Sequence, residues 1–159
     1  MIAWEYERKF LVRPGALPPL PRGKRIAQAY LGFEPVVRVR LEDDRGVLTV
    51  KGPGLAARRE VNVQIPPEAA EALLEMRVEG TAVIRKTRHL VLHGGHVWEV
   101  DVFDDPFRGL VTAEVELKHP EEDIELPPWV GAEVTHRPQF QNASLARAGK
   151  IPILPPADS

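Results

Sequence analysis

The sequence predicts a mainly β (α+β) domain, in which an antiparallel sheet of about eight strands can close into a barrel flanked by a few helices. Apolar and polar residues alternate with a period of two along most of the chain, which is typical of strands with one apolar face. The strand patterns do not alternate regularly with helix patterns, as they would in a parallel sheet. The 159 residues suffice for one domain with its own core.

The strand patterns end at residues that favour turns. The stretch from Asp43 to Gly46 predicts a tight hairpin turn, and Gly94-Gly95 predicts another. Residues 14–23 contain too many prolines and glycines for regular structure. The predicted strands lie at residues 3–12, 25–31, 36–42, 47–51, 58–65, 82–91, 97–103 and 110–117.

Two segments favour helices. Residues 66–77 begin with prolines and acidic residues, which suit the first turn of a helix, and Gly80 ends the pattern. A short second helix is predicted at 142–148, with Asn142 as its N-cap. We assign one domain to residues 1–150 and expect residues 151–159 to form a flexible C-terminal tail.

The composition narrows the classes of function. The chain has no cysteine, which excludes disulfides, thiolate metal sites and thiol catalysis. Its net charge of −2 gives no reason to expect a nucleic acid or a membrane as partner. Because no apolar stretch approaches the ~18 residues of a membrane span and the N-terminus is charged, we expect a cytoplasmic protein.

The polar positions of the strands carry an unusual concentration of charge. Almost all are Glu, Asp, Arg or Lys, spaced two residues apart, with acids toward both ends of the chain and bases concentrated in the middle. The acids are Glu5, Glu7, Glu60, Glu99, Asp101, Glu114 and Glu116, and the bases are Lys9, Arg38, Arg40, Lys51, Lys86 and Arg88.

Two interpretations of this charged face are open. On any single strand such alternation is most often the solvated face of an antiparallel sheet. The near-absence of neutral polar residues and the segregation of the two signs favour the interior of a barrel instead. Carboxylates at i and i+2, as in Glu5/Glu7 and Glu114/Glu116, point into the same space and suit a hard divalent cation. Arg and Lys donors suit phosphate, so the pattern predicts a polar tunnel for a polyanion.

An ordered set of short motifs resembles the CYTH-domain family, also called triphosphate tunnel metalloenzymes. The first is the E-x-E-x-K pattern of Glu5–Lys9, and the others follow in family order along nearly the whole chain. They are Q-A-Y-L at 28–31, R-V-R at 38–40, L-T-V-K-G at 48–52, R-R-E at 58–60, R-K-T-R at 85–88, W-E-V-D at 98–101, A-E-V-E-L at 113–117, V-T at 134–135 and N-A-S-L-A at 142–146.

The resemblance implies a closed eight-stranded antiparallel barrel with a hydrophilic tunnel, and activity on triphosphates with Mg²⁺ or Mn²⁺. It implies that the metal ligands are Glu5, Glu7, Glu114 and Glu116, assisted by Asp101. The residues it implies for phosphate binding are Lys9, Arg38, Arg40, Lys51, Lys86 and Arg88. Glu60 and Glu99 are additional candidate acids of the tunnel.

The resemblance also suggests catalytic residues. Some short family members use a lysine–tyrosine pair to activate water, which here corresponds to Lys9 and Tyr30. A tyrosine in a strand is also commonly a core residue. The chain departs from the family pattern at Asn62, where a second acid is usual, and at His136-Arg137 and Phe140 near the closing motif.

We therefore expect a metal-dependent triphosphatase that converts inorganic triphosphate into diphosphate and phosphate. Two alternatives stay open: an adenylyl cyclase or a hydrolase of thiamine or nucleoside triphosphates, and a non-catalytic module that binds triphosphate or polyphosphate. An aromatic or apolar patch at the tunnel mouth would favour an organic triphosphate. The expected partner is a small-molecule triphosphate, with a homodimer left open.

Overall fold

The structure is a computed structural model that describes residues 2–13, 15–54 and 57–155, without the side chains of Ile2, Ala3 and Glu5. It contains nine strands, two α-helices and one 3-10 helix among these residues. The strands are β1 Ile2–Val12, β2 Lys24–Phe33, β3 Val36–Glu42, β4 Arg45–Lys51, β5 Ala57–Ile65, β6 Ile84–His93, β7 His96–Phe103, β8 Val111–Leu117 and β9 Val130–Glu133. The helices are α1 Pro67–Glu75 and α2 Asn142–Ala148, with the 3-10 turn at Pro138–Phe140.

Eight of the strands form a closed barrel, which confirms the predicted fold class. The antiparallel order is β5-β4-β3-β2-β6-β7-β8-β1, and β1 pairs back to β5. The first half of β1 pairs with β5, and β9 pairs with the same edge of β1 at Phe10 and Val12. This ninth strand was not predicted, because four residues, Val-Gly-Ala-Glu, are too few to establish an alternation.

The register brings the predicted charged residues to the inner face of the barrel. Side chains directly opposite each other on neighbouring antiparallel strands point to the same side of the sheet. The observed pairs include Lys9 with Glu114, Glu99 with Glu114, and Arg88 with Asp101. The alternation seen in the sequence therefore separates a charged interior from an apolar exterior.

The apolar outer face is covered at two places. Phe10, Trp98 and Trp129 belong to one buried cluster, in which the Trp98 ring lies 5.6 Å from Phe10 and 6.0 Å from Trp129 between centroids. Helix α1 covers the second place, where Ala70 and Leu74 pack in one cluster with residues of β2 and β3. This packing leaves the barrel interior as the place where polar groups meet.

Residues 138–148, which we call the closing segment, seal one end of the barrel. Phe140 and Leu145 of this segment pack in a buried cluster with Tyr30, Ile84 and Phe103. The prediction that Asn142 is the N-cap of α2 was wrong, since Gln141 occupies that position and makes no side-chain capping bond. The Asn142 side chain instead accepts a hydrogen bond from the Lys86 ammonium at 3.2 Å.

The remaining parts of the chain add no regular element. Residues 151–155 of the predicted tail follow α2 without a helix or strand, and residues 156–159 lie outside the described residues. In the part of the chain that the structure describes, no helix is long and apolar enough to cross a membrane.

We expect Leu145→Ala to lower the free energy of unfolding by about 2–5 kcal/mol, because the side chain is fully buried between the closing segment and the barrel. Leu92→Ala is the matched control, since Leu92 is 79% exposed and its truncation should change stability by less than about 0.5 kcal/mol. Urea denaturation of both variants measures the difference. Equal losses would show that the closing segment does not pack as described.

Candidate active site

The barrel encloses a cavity of about 310 Å³ with a strongly charged wall. Each of the eight barrel strands contributes at least one lining side chain, so the cavity exists only once the barrel has closed. Its charged and polar lining residues are Glu7, Tyr30, Arg38, Arg40, Lys51, Arg58, Glu60, Asn62, Arg88, Glu99, Glu114, Glu116, Gln141 and Asn142.

Arginines dominate the cationic part of the wall. The Arg40 guanidinium donates from Nε to the Gln28 side-chain oxygen at 2.8 Å and from Nη1 to Glu42 at 3.3 Å. Burial, together with the nearby charges of Arg38 and Arg88, lowers the pKa of Arg40 to about 10. Such crowding of like charges destabilises the empty cavity and is relieved when an anion binds.

Two buried guanidinium N–H groups have no hydrogen-bond partner among the described residues. They are the Nε groups of Arg38 and Arg58. Each arginine is otherwise held: Arg38 donates from Nη2 to Thr49 at 3.2 Å, and Arg58 donates from Nη2 to the Gln141 side chain at 3.3 Å. A buried charged donor without an acceptor is costly, so these two groups indicate an oxygen-rich anion as the natural occupant.

The two predicted lysines of β1 and β6 face the closing segment. Lys9 Nζ donates to the Phe140 carbonyl at 2.8 Å and lies 3.4 Å from Glu114 Oε1. Lys86 Nζ lies 2.8 Å from Asp101 Oδ2, and burial, opposed by Asp101, lowers the pKa of Lys86 to about 7. Neither lysine is among the described residues that line the cavity. Of the two, Lys86 remains close to an arginine of the wall, because it shares Asp101 with Arg88.

Asp101 lies behind the cavity wall and pairs with two cations. Arg88 donates from Nε to Oδ1 at 2.8 Å and from Nη2 to Oδ2 at 2.9 Å, and Lys86 Nζ lies 2.8 Å from the same Oδ2. Although burial alone would raise it, Lys86 and Arg88 hold the pKa of Asp101 well below its usual range. Arg88 also donates to Glu99 at 3.1 Å. Asp101 is therefore placed to orient Arg88 and not to reach the cavity.

Three of the predicted metal ligands, Glu7, Glu114 and Glu116, line the cavity on adjacent strands. Glu7 lies directly opposite Glu116 in the register, and Glu114 is two residues along β8. Burial alone would raise the pKa of Glu114, but Lys9 and Arg88 hold it below its usual range, so the group is a carboxylate at neutral pH. The fourth ligand, Glu5, pairs through its backbone with Arg58, and its side chain lies outside the described residues.

The chemistry of this donor set fits a divalent cation. Carboxylates directly opposite on neighbouring strands repel each other unless a cation lies between them, and their oxygens are the ligands that Mg²⁺ and Mn²⁺ prefer. Within the described ranges, no three carboxylate or imidazole side chains are already gathered around one point.

The remaining predicted residues form one polar group on β4 and β5. Lys51 lies 3.9 Å from Glu60, and the Asn62 amide donates to Glu60 at 2.9 Å. Asn62 also accepts a hydrogen bond from Thr49 at 2.6 Å. Asn62 thus lies in the cavity wall with a neutral side chain, whereas Arg137, another departure from the family pattern, is exposed.

Several lining residues were missed by the sequence analysis. Arg58 shares the alternation of Glu60 and could have been found from that spacing. Gln141 and Asn142 reach the cavity from a distant segment, and no local pattern signals that. Trp4 is 64% exposed and also borders the cavity.

Comparison with known proteins agrees with this geometry. The family model described as "CYTH domain" matches residues 3–149. This chain belongs to the CYTH-domain family. The match confirms the resemblance seen in the ordered motifs, and it covers the barrel from the second residue of β1 onward and the closing segment of this CYTH domain.

Relatives of this CYTH domain include two proteins named as inorganic triphosphatases. An inorganic triphosphatase of Acetivibrio thermocellus is 38% identical over 146 residues, covering 90% of this chain and 93% of that protein. The crystal structure of the inorganic triphosphatase NE1496 matches with a TM-score of 0.64 and 30% identity, covering 93% of this chain and 96% of the other. The PH1012 protein of Pyrococcus horikoshii has the same fold, with a TM-score of 0.52 and 17% identity over 74% of this chain and 81% of that one.

We expect Asp101→Asn to lower the free energy of unfolding by about 3–5 kcal/mol, because it leaves Lys86 and Arg88 without their buried counter-charge. Asp105→Asn, in an exposed turn, is the control and should cost less than about 0.5 kcal/mol. Urea denaturation at several pH values measures both.

The pH dependence provides a further check. Since the pKa of Asp101 is depressed in the folded protein, its stabilisation is present above its unfolded pKa of about 4 and is lost as pH falls below that value. The difference between wild type and Asp101→Asn should therefore shrink as the pH falls below about 4. A difference that does not change in acid would contradict the buried ion pairs.

Proposed function

We propose that this protein hydrolyses inorganic triphosphate to diphosphate and phosphate inside the barrel, with Mg²⁺ or Mn²⁺ as cofactor. The observation that carries the proposal is the cationic wall with two unpartnered buried guanidinium N–H groups around a cavity of about 310 Å³. A compact polyanion with many oxygens satisfies these donors and neutralises the crowded arginines. The named triphosphatases among the relatives support the same reaction.

The cations would divide into two groups by position. Arg38, Arg40, Lys51, Arg58 and Arg88 line the cavity and would bind phosphate oxygens directly. Lys9 and Lys86 lie beneath the closing segment and would add positive potential at that end. Electrostatic stabilisation of the transferred phosphoryl group by such fixed charges is the main catalytic contribution expected of a protein in phosphoryl transfer.

The acids would hold the metal. Glu7, Glu114 and Glu116 would supply carboxylate oxygens from β1 and β8, and the family resemblance implies Glu5 as the fourth ligand. A divalent metal bound there would neutralise charge on the phosphates and orient them for in-line attack by water. Asp101 would act indirectly by fixing Arg88, since both of its oxygens are already bonded.

Inorganic triphosphate fits the lining better than an organic triphosphate does. Apart from Trp4, Val36 and Ala143, every lining residue is charged or polar, so the wall offers little surface for a nucleoside or thiamine group. Among the described residues, the exposed Trp4 ring is the feature that favours an organic triphosphate, because a base could stack on it. Nucleoside and thiamine triphosphates are therefore the second candidate substrates.

We expect purified protein to release phosphate from inorganic triphosphate faster than from ATP or thiamine triphosphate. Activity should require Mg²⁺ or Mn²⁺ and disappear with a chelator. Glu116→Gln should lower kcat/KM by about 100-fold or more, because it removes a carboxylate of the metal site.

The control is Glu121→Gln, which removes an exposed carboxylate between β8 and β9 and should leave activity unchanged. Calorimetric titration with Mn²⁺ gives a readout that is independent of turnover, and Glu116→Gln should weaken Mn²⁺ binding. Tight binding of triphosphate without turnover of any substrate would instead support a non-catalytic binding module. Preferential turnover of ATP or thiamine triphosphate would support the second candidates.

Arg58→Gln should raise KM for inorganic triphosphate by about 10- to 100-fold, since a charged donor to phosphate is lost. The adjacent Arg59→Gln is a matched control, because Arg59 is exposed and does not line the cavity. Steady-state kinetics of the two variants measure the difference. An equal effect of both would mean that only the net charge of the domain matters.

A further inference from the structure

Gln28 is a fully buried neutral side chain on the inner face of β2, between two groups of the cavity wall. Its side-chain oxygen accepts a hydrogen bond from Arg40 Nε at 2.8 Å. Its side-chain nitrogen lies 3.2 Å from the Tyr30 hydroxyl oxygen. Burying a primary amide without hydrogen bonds is costly, and both ends of this amide are satisfied.

The Arg40 contact determines the direction of the second hydrogen bond. A guanidinium can only donate, so the atom of Gln28 that faces Arg40 must be the carbonyl oxygen. The amide NH₂ then faces Tyr30, and because an amide nitrogen does not accept hydrogen bonds, it donates to the hydroxyl oxygen. The Tyr30 proton must therefore point away from Gln28.

The Tyr30 proton has the cavity as its remaining direction. Tyr30 lines the cavity, and among the described residues its hydroxyl has no hydrogen-bond partner other than Gln28. Burial raises the pKa of Tyr30 despite the nearby charges of Arg38, Arg40 and Arg58. The hydroxyl therefore keeps its proton near neutral pH, where it can donate but is not a base.

We propose that Gln28 is a positioning residue that holds the Tyr30 hydroxyl as a hydrogen-bond donor to a phosphate oxygen of the triphosphate in the cavity. This inference rests on the proposed function for the identity of the anion. It assigns Tyr30 a role in binding the substrate's charge, which differs from the role in activating water that the family resemblance implies. It also links Arg40 to Tyr30, because the Arg40 contact orients the amide that orients the phenol.

Gln28→Glu tests the direction of this hydrogen bond with little change in shape. The introduced carboxylate still accepts from Arg40, but it can only accept from Tyr30 and so draws the hydroxyl proton out of the cavity. We expect kcat/KM for inorganic triphosphate to fall by about 10- to 100-fold, the loss of a hydrogen bond to a charged group, and Tyr30→Phe to cause a similar loss.

The double variant separates this effect from the added negative charge. In the Tyr30→Phe background the charge effect of Gln28→Glu persists, while the effect on the hydroxyl proton cannot occur. The factor by which Gln28→Glu lowers kcat/KM for inorganic triphosphate should therefore be at least about 5-fold smaller in the Tyr30→Phe background than in the wild type. Gln64→Glu adds the same charge at an exposed position of β5 and should change kcat/KM less than twofold. If Gln28→Glu lowers kcat/KM by the same factor in both backgrounds, the proposal is overturned.

Two further measurements keep this inference distinct from the proposed function. If the wild type binds triphosphate in the presence of chelator but does not hydrolyse it, calorimetry gives the dissociation constant of triphosphate for the wild type, the two single variants and the double variant. The same comparison between backgrounds is then made with the dissociation constants. The side-chain amide protons of Gln28, observed by ¹⁵N NMR, report the bond without any ligand. One of them should shift upfield in Tyr30→Phe, and an unchanged pair would show that Gln28 does not donate to Tyr30, whatever the substrate is.

Discussion

Asp101 accepts hydrogen bonds from Arg88 and Lys86 in the interior of the barrel, at distances between 2.8 and 2.9 Å. An arginine and a lysine cannot be buried side by side without a counter-charge, and the carboxylate of β7 supplies it. Other cations of the wall also donate to neutral acceptors, namely the Thr49 hydroxyl for Arg38 and the Gln28 side-chain oxygen for Arg40. The buried positive charge is thus neutralised in part, which allows the barrel to fold, while guanidinium N–H groups remain available to bind an anion.

The closing segment provides neutral oxygen atoms that accept hydrogen bonds from the cations of the barrel interior. The Phe140 carbonyl and the Asn142 side chain accept from Lys9 and Lys86, and Gln141 accepts from Arg58. None of these acceptors carries a charge, so they satisfy hydrogen bonds without cancelling the positive potential. The apolar side of the same segment, through Phe140 and Leu145, seals the barrel end. The closing segment therefore contributes to the stability of the fold and preserves the positive potential of the cavity.

The positions where the chain departs from its family have different consequences. Asn62 lies in the wall and hydrogen-bonds both Thr49 and Glu60, so it replaces a charge by a fixed dipole beside the carboxylate that pairs with Lys51. Arg137 is exposed and lies outside the cavity lining, whereas Phe140 is part of the buried cluster that seals the barrel. Of the three, Asn62 alone changes the charge of the lining.

The period of the sequence determined that charged residues share one face and that the strands are antiparallel, since both follow from local alternation and turn residues. It also sufficed to place the charged lining of β3 and of β8. Only the tertiary structure decided that Lys9 and Lys86 face the closing segment, that Asp101 is held by Arg88, and that Arg58 and Gln141 reach the cavity. These contacts depend on strand register, barrel closure and a segment distant in the chain, none of which local periodicity encodes. The direction of the Gln28 hydrogen bonds likewise depends on Arg40, which lies on the neighbouring strand.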